Sequence, residues 1–399
     1  MRLWLAQTIS VFGSGFTQLA LPLIAATTLG ATPAQMGSLH AVQFAPFLLL
    51  GLFVGVWVDR LPRRSVLIAG DAGRAVLLAM IPVAAFGGIL TMPHLYAIGF
   101  LVGVLTVFFE IAYQAYLPAL VTSTQLVEGN SKLEGTRSLA QVASPGIAGV
   151  IIEMVSASAA IVLNALSFLV SALFIGAIRQ RELALEHAAR RPMWAEIREG
   201  LGVVFGHRML RSIAGCTATS NFFFSAVSAL FILFVTRTLG LSAGAIGLVF
   251  ALGNLGGVTG AMLAAPVARR IGTGPAIVAG SFLAGFGVAP IVFATPASAL
   301  PILIATQAVV SFANVVYNVN QVSLRQAITP LRLQGRMNAT MRFVVWGTIP
   351  LGSLAGGIAG ELLGLRGGIA VGAAGAALAF MWVLLSPVRS LRVAPESEA

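Results

Sequence analysis

The sequence predicts an all-α polytopic membrane protein of about twelve transmembrane helices, built as two pseudo-symmetric six-helix halves. Three observations predict it. Of 399 residues, 58% are apolar and only 9% are charged, against roughly 25% charged in soluble domains, so no water-soluble surface could cover the core. Apolar runs recur along nearly the whole chain, each near the roughly twenty residues a helix needs to cross the hydrocarbon layer. The basic residues gather in alternate connections between those runs, as loops retained on one side of a membrane do. Barrel strands would alternate polar and apolar over roughly ten residues, and these runs do not. Helices also satisfy their own backbone inside lipid.

Taken in order, the runs place helices near 3–29, 36–58, 66–88, 95–121, 136–157 and 159–178. A second set follows near 213–238, 243–266, 273–295, 299–327, 340–364 and 366–386, with turns marked by Gly and Pro. This organisation gives an N-terminal half over 1–178, a linker over 179–212, a C-terminal half over 213–386 and a tail over 387–399. The linker is the one long polar stretch, rich in Arg and Glu. Its Trp194, Ile197, Leu201 and Val204 fall at helical spacing, which fits either a helix lying on the membrane surface or a solvated linker helix.

Arg2, Arg60, Arg63, Arg64, Lys132, the linker arginines, Arg269, Arg270, Arg325, Arg332, Arg336, Arg389 and Arg392 all fall on one face, whereas the opposite turns offer Arg237 and Arg366. Both termini are therefore expected in the cytoplasm, with the chain multi-pass in the plasma (inner) membrane. The net charge of +11 reports topology and contact with membrane lipids, not nucleic acid. Cys216 is the single cysteine, which excludes an intrachain disulfide, a CxxC redox motif and a Cys-rich metal site. The four histidines are scattered without ligand spacing, so no metal and no cofactor are expected. No GxxxxGK[ST] phosphate loop is present, which argues against ATP-driven pumping by this chain. The glycine-rich run 253–260 lies inside an apolar helix and reads as helix packing.

The halves repeat in their residues. Gly55 to Arg64 reads GVWVDRLPRR, and Gly260 to Arg270 reads GAMLAAPVARR, each ending in paired arginines. An offset of 205 maps Arg137 onto Arg342 and Pro145 onto Pro350, each arginine expected to open a helix with its proline eight residues on. Tyr113 and Tyr317 match one position out of step. Parallel repeats of this kind build transporters whose substrate binds between two rocking halves.

GVWVDRLPRR resembles the loop between the second and third helices of the major facilitator superfamily through Gly55, Asp59, Arg60, Arg63 and Arg64. Physically, Gly55 lets helices approach, Asp59 can meet a neighbouring helix N-terminus or an Arg, and the basic cluster holds the loop at the surface, so that together they can latch one conformational state. The stretch RSLAQVASPGIAG looks like the fifth-helix motif of the superfamily's proton antiporters, with Arg137, Ser144, Pro145, Gly146 and Gly149; Ser144 stands where the family carries glycine. With YQAYLPALV at 113–121, the whole chain is similar to the drug:proton antiporter group that includes macrolide and enterobactin exporter-like proteins. The resemblance implies the major facilitator fold and export of small amphipathic organic molecules, drug- or siderophore-like, by alternating access with proton antiport; a monomer is expected.

Glu110 is the acid nearest the middle of a predicted span. An unpaired carboxylate there is expensive, which makes it the candidate proton carrier; the alternative is a structural partner to Tyr or Arg. Asp71 and Arg74, three apart, read as a local ion pair. Polar side chains recur on one face of the first helix (Gln7, Ser14, Gln18), the fourth (Tyr113, Gln114), the seventh (Ser220, Asn221, with Phe224) and the tenth (Asn314, Tyr317, Asn318, Gln321). These are the candidate substrate cavity, with interhelical polar glue as the competing reading. The superfamily's acid in the first helix is Ser14 or Gly15 here. Uniport or import would share the fold, and a membrane-embedded lipid enzyme would also need polar groups in a cavity but not the repeated basic loops.

Overall fold

The structure is a computed structural model that describes residues 2–58, 61–120, 123–178 and 193–392. It is all-helical among the described residues. The first half runs α1 (Arg2–Leu23), α2 (Pro33–Val58), α3 (Arg63–Phe86), α4 (Met92–Leu120), α5 (Ser123–Met154) and α6 (Ala157–Gly176). The linker holds α7 (Met193–Gly206). The second half runs α8 (Arg208–Leu233), α9 (Ala243–Ile271), α10 (Thr273–Gly287), α11 (Ala299–Ala327), α12 (Leu331–Leu378) and the short α13 (Met381–Leu384). At about 1.5 Å per residue, the 48 residues of α12 would reach more than twice the roughly 30 Å hydrocarbon layer. It is two crossings joined at Gly364, whose φ of 74° and ψ of 167° leave helical geometry. Only glycine adopts that conformation without steric cost, and the break falls where the sequence analysis separates 340–364 from 366–386. Large apolar side chains such as Phe86, Met154, Leu173 and Met262 are exposed, as lipid-facing residues must be.

The chain forms two compact units, Met1–Glu186 with Val235–Ala251, and His187–Phe234 with Leu252–Ala399. In the first, α1 packs on α5 and α6, α3 on α4 and α6, and α2 on α4. In the second, α12 packs on α8, α10 and α7, and α10 on α11. The pseudo-symmetry is visible in detail. Both α1 and α8 end in a π-helical turn, Ile24–Thr28 and Phe234–Thr238. Each turn runs into Thr-Leu-Gly with a left-handed glycine, Gly30 at φ 62° and Gly240 at φ 68°. In both, the amide beyond the glycine returns to a carbonyl six residues back, Ala31 to Ala25 at 2.9 Å and Leu241 to Val235 at 2.9 Å, which satisfies the helix end.

One expectation is corrected. Helix α5 starts at residue 123 instead of 136 and α12 at 331 instead of 340, so Arg137 and Arg342 sit well inside their helices and do not open them. The added turns of α5 are polar, and carry a Glu128–Lys132 pair at 2.6 Å; the ammonium holds the Glu128 carboxyl below its ordinary value. Hydropathy marks where lipid begins, not where the helix begins. The linker helix α7 packs on the second unit with one face and leaves Leu201 and Phe205 exposed on the other. Val204 is buried with Leu210, Ala214, Met337 and Met341, Arg336 bonds Glu199, and a Cβ on Gly200 would meet the Arg336 carbonyl at 2.9 Å, so α7 is docked on α12 and α8. The first residues of the tail are held through residue 392: the amides of Thr273 and Gly274 donate to the carbonyls of Arg392 and Leu391, at 3.2 and 2.8 Å.

Candidate functional site

In the first unit the charged residues of the membrane helices cluster. Glu110 on α4 lies with its Oε1 3.7 Å from Arg137 Nη2 on α5, the two side chains 32% and 51% exposed. The pair is loose, and about a third of the Glu110 side chain is exposed. Beside it Tyr113 stacks on Phe109 at 6.1 Å, and its hydroxyl is buried without a hydrogen-bond partner. Across α3, Arg74 Nη2 donates to Asp71 Oδ1 at 2.5 Å. Both residues are buried, Asp71 fully. The Arg74 guanidinium is held between two rings, 4.3 Å from the centroid of Phe109 and 4.2 Å from that of Phe168, a cation–π sandwich that holds a charge where water is excluded.

The fifth-helix motif forms a close seam. A Cβ on Gly149 would stand 2.7 Å from the Ala243 carbonyl and 2.9 Å from the Gly247 Cα, and one on Gly247 would stand 2.7 Å from the Pro145 carbonyl. The backbones of α5 and the start of α9 therefore touch, as small-residue interfaces in lipid do. Gly146 meets Ala251 on the same seam. The seam ends at Glu153, whose Oε2 accepts from the Gly244 amide at 2.6 Å and from Ser242 Oγ at 3.0 Å, a carboxylate on the N-terminus of α9. Glu153 escaped the sequence analysis because its partners lie about ninety residues away.

The departures from the family pattern at 144 and 15 answer each other. Ser144 is buried, and a Cβ on Gly15 would lie 1.8 Å from its hydroxyl oxygen. The extra bulk on α5 occupies the space that glycine leaves on α1, and an acid at position 15 would not fit.

The polar stripes divide by role. On α1, Ser14 and Gln18 are exposed, and Gln7 Oε1 is buried with no hydrogen-bond partner; Gln114 on α4 is exposed. On α8, Ser220, Asn221 and Phe224 are half-buried, and Asn221 donates to the Val345 carbonyl at 3.1 Å. Phe223 instead lies over Gly375 of α12. On α11, Asn314 and Asn318 are exposed and Asn318 accepts from Gln321 at 2.9 Å. Gln321 is buried, its Oε1 without a partner. Tyr317 is buried in the α8–α11 core and shares a 2.7 Å hydrogen bond with Thr217. Higher on α11, Gln307 and Ser311 bond Asn254 of α9 at 3.0 and 3.3 Å, which is interhelical glue. Asn254 hid in a glycine-rich run read as packing alone.

Asp59 and Arg60 lie outside the described residues. Gly55 ends within α2, Arg63 is buried at the start of α3, and Arg64 donates to the carbonyls of Ile175, at 3.3 Å, and Gly176, closing the C-terminus of α6.

The chain matches the model of the Major Facilitator Superfamily over residues 3–347 and again over 213–399. It is 26% identical over 417 aligned positions to the multidrug efflux pump Tap of Mycobacterium bovis, covering 98% of this chain and 94% of that one. It is 24% identical to macrolide efflux protein A of Streptococcus pyogenes, but that match spans 57% of this chain and only 56% of the relative. Among solved structures, the nucleoside transporter NupG superposes with a TM-score of 0.75 at 11% identity, covering 96% and 98% of the two chains. A bacterial homologue of the iron transporter ferroportin gives 0.75 at 16%, covering 96% and 97%.

Proposed function

Because the chain belongs to the major facilitator superfamily, and so is a multi-pass membrane transporter of small molecules and not an enzyme, we propose that it exports amphipathic organic compounds by alternating access, in exchange for protons. Glu110 carries this reading: an acid inside a membrane-crossing helix, one-third exposed and loosely paired, sits beside the unpartnered hydroxyl of Tyr113. Such a group binds and releases a proton at low structural cost, whereas a tightly paired one does not. The likeness to the efflux pump Tap over nearly the whole chain supports outward transport. In the first unit the exposed positions Ser14, Gln18 and Gln114, and in the second Asn314 and Asn318 with half-buried Ser220, Asn221 and Phe224, are the positions we assign to substrate contact. The basic face orients both termini toward the cytoplasm of the plasma membrane, and the protein acts as a monomer.

The test is accumulation of ethidium and of radiolabelled erythromycin by cells expressing the chain, against an empty vector, with and without a protonophore. Lower accumulation that the protonophore reverses is expected. Lower accumulation that survives the protonophore would replace antiport with uniport. In the same assay Asp59→Asn is expected to slow efflux several-fold without weakening ligand binding, since a latch between conformational states acts on rate; wild-type turnover would remove that role from the loop.

A further inference from the structure

The first turn of α8 carries Arg208 and Arg211, three residues apart and so on one face of the helix. Both are exposed, and among the described residues neither guanidinium has an acid partner. Like charges this close on a helix repel each other. Basic residues at a helix end hold it on one side of the membrane, but that role asks only for charge and not for a groove.

The two arginines open onto a groove. A cavity of about 420 Å³ lies between the start of α8 and the segment that runs from the end of α12 through α13 to Pro387, with no acid among the described residues that line it. The wall across from the arginines is apolar: Leu378 and Leu385 line it and are 64% and 71% exposed. Trp382 is fixed between the two walls. Its ring lies against Gly215, where an added Cβ would stand 2.7 Å away, and its Nε1 donates to Thr219 Oγ1 at 3.1 Å. Tryptophan, apolar in body and polar at one edge, settles at the headgroup level of a bilayer. Arg208 is also the first residue of a membrane span, so the cationic end of the groove stands at the membrane surface and the apolar end faces the acyl chains.

We propose that this groove binds an anionic glycerophospholipid of the adjacent leaflet, its phosphate held by Arg208 and Arg211 and one acyl chain laid along Leu378 and Leu385. Guanidinium forks match phosphate oxygens in pairs, and basic pockets between membrane helices take anionic headgroups. A free phosphate would meet the arginines and leave the apolar wall uncovered. A zwitterionic lipid would bring its amine to a site with no carboxylate to receive it. One lipid in the groove touches α8 on one side and α13 on the other, and so fastens the last helices of the second unit to its first. The site is independent of the direction and the coupling of transport.

The experiment uses the delipidated full chain in dodecyl maltoside, with dioleoylphosphatidylglycerol added and bound lipid counted by native mass spectrometry. Wild type is expected to retain phosphatidylglycerol in preference to dioleoylphosphatidylethanolamine. The double variant Arg208→Gln/Arg211→Gln is expected to lose about thirtyfold in phosphatidylglycerol affinity, two basic groups each at the usual strength for a charge beside anionic lipid. Arg269→Gln/Arg270→Gln, which removes paired exposed arginines of α9 that do not line the groove, is expected to bind as wild type does. Undiminished affinity in the first double variant, or an equal loss in the second, overturns the site. Inorganic phosphate that displaces the lipid at millimolar concentration assigns the arginines to a soluble anion and overturns the lipid. Equal retention of the two lipids by wild type overturns it as well, whether or not the variants fold.

Discussion

On the proposed antiport reading, Glu110→Gln is expected to abolish uphill efflux while leaving the chain folded, inserted and able to bind ligand. Glutamine keeps the size and hydrogen-bonding capacity of the side chain and loses only the titrating proton. The cost to the fold is small, because Arg137, left without its carboxylate, is half exposed and loses a pair of the kind worth about 0–1 kcal/mol. The cost to coupling is large. Free energies that link two binding events run to about 1–3 kcal/mol, or roughly 5–150-fold, and removing the proposed proton site is expected to remove that link. Ethidium accumulation in cells carrying the variant should match the empty vector, while downhill exchange of ethidium across proteoliposomes persists. Efflux by Glu110→Gln at the wild-type level would show that the proton does not pass through this residue.

Gly149→Leu has the largest expected effect on the fold. The neighbours of an added Cβ are the Ala243 carbonyl at 2.7 Å and the Gly247 Cα at 2.9 Å, both backbone atoms, and no rotamer change makes room. Overpacking of this kind costs about 1–3 kcal/mol or more, because α5 and the start of α9 must separate along the whole seam from Pro145 to Glu153. A several-degree fall in the thermal midpoint of the detergent-solubilised protein is expected, together with loss of transport. Gly135→Leu on the same helix, where nothing lies within 4 Å of the added atom, serves as the control and should leave the midpoint unchanged. Equal midpoints for wild type and Gly149→Leu would mean that α5 and α9 are not in backbone contact.

How much of this was legible in the sequence depended on whether the signal was local. The spans were legible because hydropathy is a local property, and the break near 364 was legible because a glycine sat between two apolar runs. The true starts of α5 and α12 were not, since their first turns are polar and belong to the helix but not to the lipid. The docking of α7 depends on Val204 meeting Met337 and Met341, partners more than 130 residues away. The Thr-Leu-Gly at 28–30 and 238–240 was a repeat in plain view, and its meaning, a π-turn closed by a left-handed glycine, needed backbone geometry. At the site, the Asp71–Arg74 pair was legible from its spacing, but not its enclosure by Phe109 and Phe168. The exchange of bulk between Ser144 and Gly15 could be seen only with α1 and α5 side by side; in sequence it reads as two unrelated departures from a motif.

Proton entry is proposed to drive substrate out. It is tested most directly in inside-out vesicles containing the purified chain, with an acid-inside pH gradient imposed and uptake of radiolabelled erythromycin followed in time. Uptake above the external concentration that collapses when nigericin dissipates the gradient is the predicted result. Uptake that only equilibrates, at the same rate with and without the gradient, would contradict it.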